Sequence, residues 1–276
     1  MRIPFHLGAW LRHGAQSIRH ARGLRGCEPL WNSLRKPYGQ LLRILSGGRG
    51  LPIKIGGYIM RVDPLVVNLN WETVEVEAYR AFGADVRPGD VVYDVGAHFG
   101  TYTLIALRKG GPRSRVVAYE PCDLTRRYLM RHLAWNQGTA QVIVRPLCCG
   151  AAGGRARFFY RPGVPEGING LVEADGLEQT WVDVTTLDDE VAALDLVPAI
   201  IKVDVEGAEL DVLKGAEGVL TAHRPRLFLS LHPGPLAKVG LSPHAITEWL
   251  ADRRYRCQYI SEDQEIHVMA VPNRSL

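Results

Sequence analysis

No apolar run in this chain approaches the ~20 residues needed to span a bilayer, which argues against a membrane-crossing helix. The first residues lack a continuous leader core as well. Arg12, His13 and Gln16 interrupt it, so no secretory leader is expected. Cysteine is scarce and odd in number: Cys27, Cys122, Cys148, Cys149 and Cys257. Their spacing matches no metal motif, so reduced thiols and a cytoplasmic location are expected. Adjacent Cys148 and Cys149 read as small core residues, because buried Cys behaves as a small hydrophobe. Internal repeats and low-complexity tracts are absent, which excludes repeat architectures.

The 276 residues suit one large domain, or one domain with an extension. Hydrophobic residues at 46% and charged residues at 22% are those of an ordinary globular protein. Acids are nearly missing from the start. Residues 1–46 carry eight Arg or Lys against Glu28 alone, a net +7. The whole chain is only +4, so the remainder is mildly acidic at −3. Trp10, Leu11, Trp31, Leu34, Leu41 and Leu45 interleave with the cations of this arm. Such a segment reads as short helices packed on the domain's outside, or as peripheral contact with an anionic membrane. An Arg-rich transit peptide is a third reading.

Residues 1–50 are therefore expected to form a basic arm, 51–70 a β-hairpin turning at Gly56-Gly57, and 71–276 the main domain. A helix is expected from Glu72 to Phe82. Strands and helices then alternate. Strands are expected at Val91–Val95, Arg115–Tyr119, Gln141–Val144, Ile200–Val203 and Arg226–Leu231, with helices near 124–135 and 244–252. Ala156–Tyr160 and Trp181–Thr185 read as short extra strands around a glycine-rich loop at 161–180. Tyr255–Ile260 and Ile266–Val271 close the chain as an antiparallel pair. Repeated β-α units imply an α/β fold, a parallel sheet covered by helices on both faces.

Two stretches carry chemistry. In Val91-Val-Tyr-Asp-Val-Gly-Ala-His-Phe-Gly, Asp94 ends a strand, Gly96 and Ala97 open the turn, and Gly100 begins a helix. Glu120 ends the next strand, where a carboxylate can accept ribose hydroxyls. Phe99 stands where a dinucleotide loop would want a close-approach glycine, and Asp94 would repel a pyrophosphate. A carboxylate there suits the amine of an amino acid. S-adenosylmethionine, with its ribose, its amino-acid end and no phosphate, fits better than NAD. An NAD-dependent oxidoreductase stays as the alternative function, as does a non-catalytic S-adenosylmethionine-binding module.

The second stretch is Ile200-Ile-Lys-Val-Asp-Val-Glu-Gly-Ala-Glu-Leu-Asp-Val-Leu-Lys-Gly-Ala. Lys202, Asp204 and Glu206 recur at every second position of a strand exit, so one face should carry all three. Charge is costly to bury without partners. Strand tips of open α/β sheets are also where ligands bind. Glu209 and Asp211, early in the following helix, are expected to complement its dipole and face solvent.

DVGAHFG at 94–100, YEP at 119–121, TTLDD at 185–189 and the 200–216 stretch together resemble the FkbM family of S-adenosylmethionine-dependent methyltransferases. The resemblance covers roughly residues 70–235. It implies a Rossmann-like seven-stranded sheet of order 3-2-1-4-5-7-6 with strand 7 antiparallel. It also implies O-methyl transfer to a small-molecule or glycan acceptor, such as a sugar or polyketide-type alcohol. Asp94, Gly96, Ala97, Gly100 and Glu120 would hold the cofactor. Asp204, Glu206 and His232 would be catalytic, with His232 and Glu206 equal candidates for the base and Lys202 a counter-ion. Ser230 departs from the pattern, which often has Glu there. Two carboxylates and a His can hold Mg²⁺, yet the spacing does not demand it and no metal site is assigned. Nucleic acid is not an expected partner. The Asn/Asp-Pro-Pro-aromatic motif of nucleic-acid methyltransferases is absent, and the main domain lacks a basic footprint.

Overall fold

The computed structural model describes residues 28–66, 74–162, 169–173 and 176–273. The first 27 residues of the arm, the start of the helix expected at Glu72, and residues 163–168 of the glycine-rich loop lie outside them.

The centre is a seven-stranded sheet. Its strands are β3 (Val91–Val95), β4 (Arg115–Tyr119), β5 (Gln141–Arg145), β9 (Ile200–Val203), β10 (Arg226–Leu231), β11 (Tyr255–Glu262) and β12 (Ile266–Pro272). Their spatial order is β11-β12-β10-β9-β3-β4-β5. Numbered within the domain this is 3-2-1-4-5-7-6, with β12 antiparallel to both neighbours, as the resemblance implies. The inner strands VVYDV, IIKV and RLFLSL are apolar nearly throughout, as strands covered on both faces must be. The chain leaves β3 toward β4 and β5, then returns to place β9 on the other side of β3. That reversal opens a crevice above the carboxyl ends of β3 and β9.

One face of the sheet buries Tyr93, Val95, Ile201, Val203, Leu227 and Leu229 against α6 (Glu209–Lys214), α7 (Glu217–Ala222) and α9 (Pro243–Asp252). The other buries Val92, Val116, Ile200 and Phe228. There they meet α2 (Val76–Asp85), α3 (Thr101–Lys109) and the hairpin of β1 (Leu51–Ile55) and β2 (Tyr58–Val62). The hairpin thus shares the core of the sheet. Between α3 and α6 lie α4 (Asp123–Trp135), β6 (Cys148–Cys149), β7 (Gly154–Tyr160), β8 (Glu178–Thr185) and α5 (Leu187–Leu194). The extra strands form a separate three-stranded sheet, β6-β8-β7. Cys148 and Cys149 are buried, as expected of small core residues.

Three expectations shift. The first described α-helix after the hairpin begins at Val76, with Glu75 at its N-cap position in a left-handed φ of 53°, so Val74 and Glu75 of the expected helix are not helical. The single helix expected after β9 is two helices, divided at Gly215-Ala216. The regular strand of β9 stops at Val203, and the chain turns at Glu206, which has φ 53°.

The TTLDD segment acts through caps. Thr186 accepts the Asp189 N–H and starts α5. Asp188 accepts the N–H groups of Gly218 and Val219, at the start of α7. Glu190 pairs bidentately with Arg145, both contacts at 2.9 Å.

Helix α1 (Glu28–Leu45) packs against a turn at Pro64–Val66 and rests on the domain through Leu42 and an Arg43–Asp63 ion pair of 2.6 Å. Leu41, Ile44 and Leu45 on the same helix are exposed. Among the described residues no helix is long and apolar enough to cross a membrane.

Candidate active site

A cleft of about 480 Å³ lies over the switch point, within the size range of small-molecule sites. Its floor is Val95 and Gly96 from the β3 tip and Asp204 to Glu206 from the β9 tip. Glu120 and Pro121 close one end beside Cys148 and Phe158. Glu75 and Glu265 close the other.

Gly96 is fixed by geometry. It has φ 81°, and a Cβ there would lie 1.8 Å from the Asp204 carbonyl oxygen. The two strand tips can approach only over a glycine. Gly100 has φ 88°, and the space of its missing side chain is filled by Leu129. Gly100 and Ala97 serve the turn and its packing and do not line the cleft. Asp94 does not line it either. Its carboxylate is buried and accepts a hydrogen bond from Thr103 Oγ1. Burial pushes its pKa up to about 6, against the pull of Thr103 and Lys202. In this structure the Asp94 carboxylate secures the start of α3.

Glu120 does face the cleft. Its Oε1 accepts from Cys122 N–H and Thr125 Oγ1, and its Oε2 accepts from His98 N–H, all at 2.8 Å. One Oε2 lone pair remains for a ligand hydroxyl, where two acceptor oxygens were expected. Burial raises its pKa to about 7, against those hydrogen bonds. His98 packs on Phe99, with ring centres 3.8 Å apart.

The acidic end is organised around two buried basic side chains, Lys202 and His232. Lys202 is 1% exposed. Its Nζ donates to Asp204 Oδ2 at 3.1 Å and to Ser230 Oγ at 2.6 Å, and it sits 4.6 Å from the centre of the Tyr102 ring. Ser230 therefore takes the lysine on one side and meets His267 Nδ1 at 3.1 Å on the other. Burial opposes the charge on Asp204, yet Lys202 and His232 hold its pKa below the usual carboxylate value. His232 Nδ1 lies 2.7 Å from Glu209 Oε1. Its Nε2 is 3.5 Å from Asp204, 3.6 Å from Glu206 and 3.5 Å from Glu265. Burial works against an imidazolium here, but Glu209, Glu265, Asp204 and Glu206 prevail and push its pKa up to about 11. Burial also raises Glu206 to about 7, and Glu75 to about 8 with help from Glu265 and Asp204.

Glu209 corrects an expectation. It is fully buried, and its Oε1 accepts from Gly207 N–H as well as meeting His232. Asp211 does face solvent, beside Lys214. Asp204 does not cap α6, whose N-cap residue Ala208 has no side-chain cap. Glu75, Glu209 and Glu265 are the site residues that sequence reasoning missed. Glu265 sits among four acidic or amide residues of the β11–β12 turn, Glu262-Asp-Gln-Glu, which is the one local signal it offers.

The sequence pattern of the methyltransferase FkbM domain matches residues 94–257, more than half of the chain. The chain belongs to the FkbM methyltransferase family. It is an enzyme that transfers methyl groups, with S-adenosylmethionine as cofactor. The methyltransferase is 27% identical over 207 residues to hexuronic acid methyltransferase AglP of Haloferax volcanii, covering 73% of this chain and 80% of that one. It is 30% identical over 167 residues to methyltransferase sdnD of Sordaria araneosa, covering 49% and 63%. A solved FkbM methyltransferase of Methylobacillus flagellatus is 20% identical with a TM-score of 0.47. That match covers 66% of this methyltransferase and 43% of the longer chain.

Proposed function

We propose that this methyltransferase moves a methyl group to a hydroxyl of a glycan or small alcohol, with Glu206 as the base. One observation carries the reading. The tips of β3, β4 and β9 bring Gly96, Glu120, Asp204 and Glu206 to the walls of one cleft. The cleft suits S-adenosylmethionine in three respects. Glu120 keeps a lone pair for a ribose hydroxyl beside an apolar wall of Pro121, Cys148 and Phe158. The start of α3, with Thr101 at the cleft, offers N–H groups to a carboxylate. The acidic floor of Asp204 and Glu206 suits a ligand that carries positive charge.

When bound, S-adenosylmethionine supplies an electrophilic methyl group on a sulfonium, which takes back the bonding pair as a neutral thioether. The protein aligns and deprotonates. Glu206 takes the acceptor's proton as the acceptor oxygen bonds to the methyl carbon. Two features favour Glu206 over His232 as base. Glu206 lines the cleft and His232 does not. Both ring nitrogens of His232 already face carboxylates. Alignment of the reacting atoms contributes ~7–11 kcal/mol in well-oriented systems, and a positioned base ~10²–10⁴-fold. Hydroxyls suit an acidic wall of Glu75, Asp204, Glu206 and Glu265, to which they can donate. The hexuronic acid methyltransferase of Haloferax volcanii is consistent with a sugar acceptor.

The experiment incubates the protein with methyl-labelled S-adenosylmethionine and a glycan and metabolite extract, and finds the labelled product by mass spectrometry. Glu206→Gln should lower turnover ~10²–10⁴-fold while leaving cofactor binding by calorimetry intact. Wild-type turnover in that variant removes Glu206 as base. Label on nitrogen or carbon instead of oxygen overturns the acceptor class.

A further inference from the structure

We infer that Asp204, His232 and Glu265 form a binding site for one divalent transition-metal ion at the acceptor side of the cleft. The three donors come from separate parts of the chain: the β9 tip, the junction of β10 with α8 (Pro233–Lys238), and the β11–β12 turn. Their ligand atoms all lie within 4.8 Å of one another. His232 is 5% exposed, and its Nε2 is aimed into this group without a hydrogen-bond partner. The nearest carboxylate oxygens stand at 3.5–3.6 Å. That is too long for a hydrogen bond, which wants about 2.7–3.2 Å. It is closer to the separation of about 3.0–3.4 Å between neighbouring donors held 90–109° apart around an ion with ~2.1 Å bonds. A proton on Nε2 reaches none of these oxygens well, whereas a shared ion reaches several at once.

The other face of the ring supplies a second sign. Metal-ligating histidines commonly donate their remaining N–H to a carboxylate, which fixes the tautomer and turns the free lone pair to the metal. Glu209 does this here, from a fully buried position, at 2.7 Å from Nδ1. The local charge agrees. Asp204, Glu206, Glu209 and Glu265 crowd one imidazole, and Lys202 is the neighbouring cation. Two positive charges offset that excess. One imidazole with two carboxylates suits Mn²⁺, Fe²⁺ or Zn²⁺ better than Ca²⁺ or Mg²⁺, which prefer all-oxygen sets.

The role of the ion rests on the O-methyl transfer proposed above. An acceptor hydroxyl bound to it would lose its proton more readily, and Glu206 stands beside it to receive that proton. Such an ion would also let an acidic wall hold an acceptor that itself bears a carboxylate.

The test strips the full chain with a chelator and titrates it with Mn²⁺ under electron paramagnetic resonance. One equivalent of Mn²⁺ should leave the free-ion signal, and pulsed spectra should show nitrogen coupling from one imidazole. Glu209→Gln, which keeps His232, should weaken binding ~10–100-fold. Loss of the nitrogen coupling is expected in His232→Asn. Glu265→Gln, in a turn away from the core, should weaken the site without threatening the fold. The inference is overturned by no stoichiometric binding, or by binding unchanged in both His232→Asn and Glu265→Gln. Calorimetry of S-adenosylmethionine on the same stripped protein separates the two claims. Cofactor binding without Mn²⁺ binding overturns the metal site alone. Mn²⁺ binding without cofactor binding supports the metal site and overturns the methyl-transfer reading.

Discussion

Individual buried polar residues set the electrostatics of this molecule. His132 is fully buried, with Nδ1 2.9 Å from the Phe99 carbonyl and Nε2 accepting the Asp63 N–H at 2.9 Å. Both nitrogens are used by the neutral ring. Burial lowers its pKa to about 4, against the pull of Phe99 and Asp63. The unfolded chain, with a histidine near 6.5, binds the proton more readily. His132 thus contributes stability that is full above pH ~6.5 and is lost as pH falls toward 4, by up to about 3 kcal/mol. Glu120 and Glu206, both raised to about 7, act in the opposite sense over part of that range. The contribution is therefore read as the difference between wild type and His132→Gln in denaturant unfolding from pH 4 to 7. A histidine titrating near 6.5 by NMR at this position would refute it. Lys202 is the second case. Lys202→Met leaves the part-buried Asp204 without its main counter-ion, and such a loss costs about 1–3 kcal/mol. A change under 1 kcal/mol in urea unfolding would mean that Asp204 finds its compensation elsewhere.

At the scale of elements, two junctions hold the architecture. The tips of β3 and β9 touch at Gly96, where a methyl group would collide with the Asp204 carbonyl. Gly96→Ala should cost about 1–3 kcal/mol from overpacking, with left-handed strain added. It should also weaken S-adenosylmethionine binding at least tenfold by calorimetry, since the floor of the cleft must part. Wild-type affinity would show that the floor tolerates the shift. The other junction is Asp63, at the end of β2. Its Oδ2 takes Arg43 of α1 and Arg131 of α4, each at 2.6 Å. Asp63→Asn leaves those two guanidinium groups facing one another. Trypsin should then cut within α1 faster than in wild type, with about 1–3 kcal/mol lost overall. An unchanged cleavage rate would place the anchor of α1 in its packing at Gly39 and Leu42.

Over the whole molecule, the strand order decides where chemistry sits. The sheet reverses between β3 and β9, and the cofactor cleft opens at that reversal. A ligand that binds only the folded state stabilises it by ~2.7 kcal/mol at 100-fold excess over its Kd. S-adenosylmethionine should raise the unfolding midpoint accordingly, and NADH should not. The reverse ranking would restore the oxidoreductase reading.

Periodicity and turn residues were enough to locate nearly every strand, because a strand buried on both faces must be apolar and must end in turn formers. The glycine spacing and Glu120 marked one half of the cleft for the same local reason. The resemblance carried the sheet order, which no single segment encodes. Local rules failed where burial overrode them. An acid in the first turn of a helix ordinarily favours the dipole and water, yet α6 docks so that Glu209 lies beneath His232. Asp94 stands at the expected strand end, but Thr103 draws its carboxylate inward. Glu75 and Glu265 are far apart along the chain and meet only when the hairpin of β11 and β12 completes the edge of the sheet beside α2. The sequence by itself determined the elements, the glycine turn and the charged strand tip, since each depends on neighbours a few residues away. Only the tertiary structure decided which carboxylates surround His232, because charges share a site through space and not along the chain.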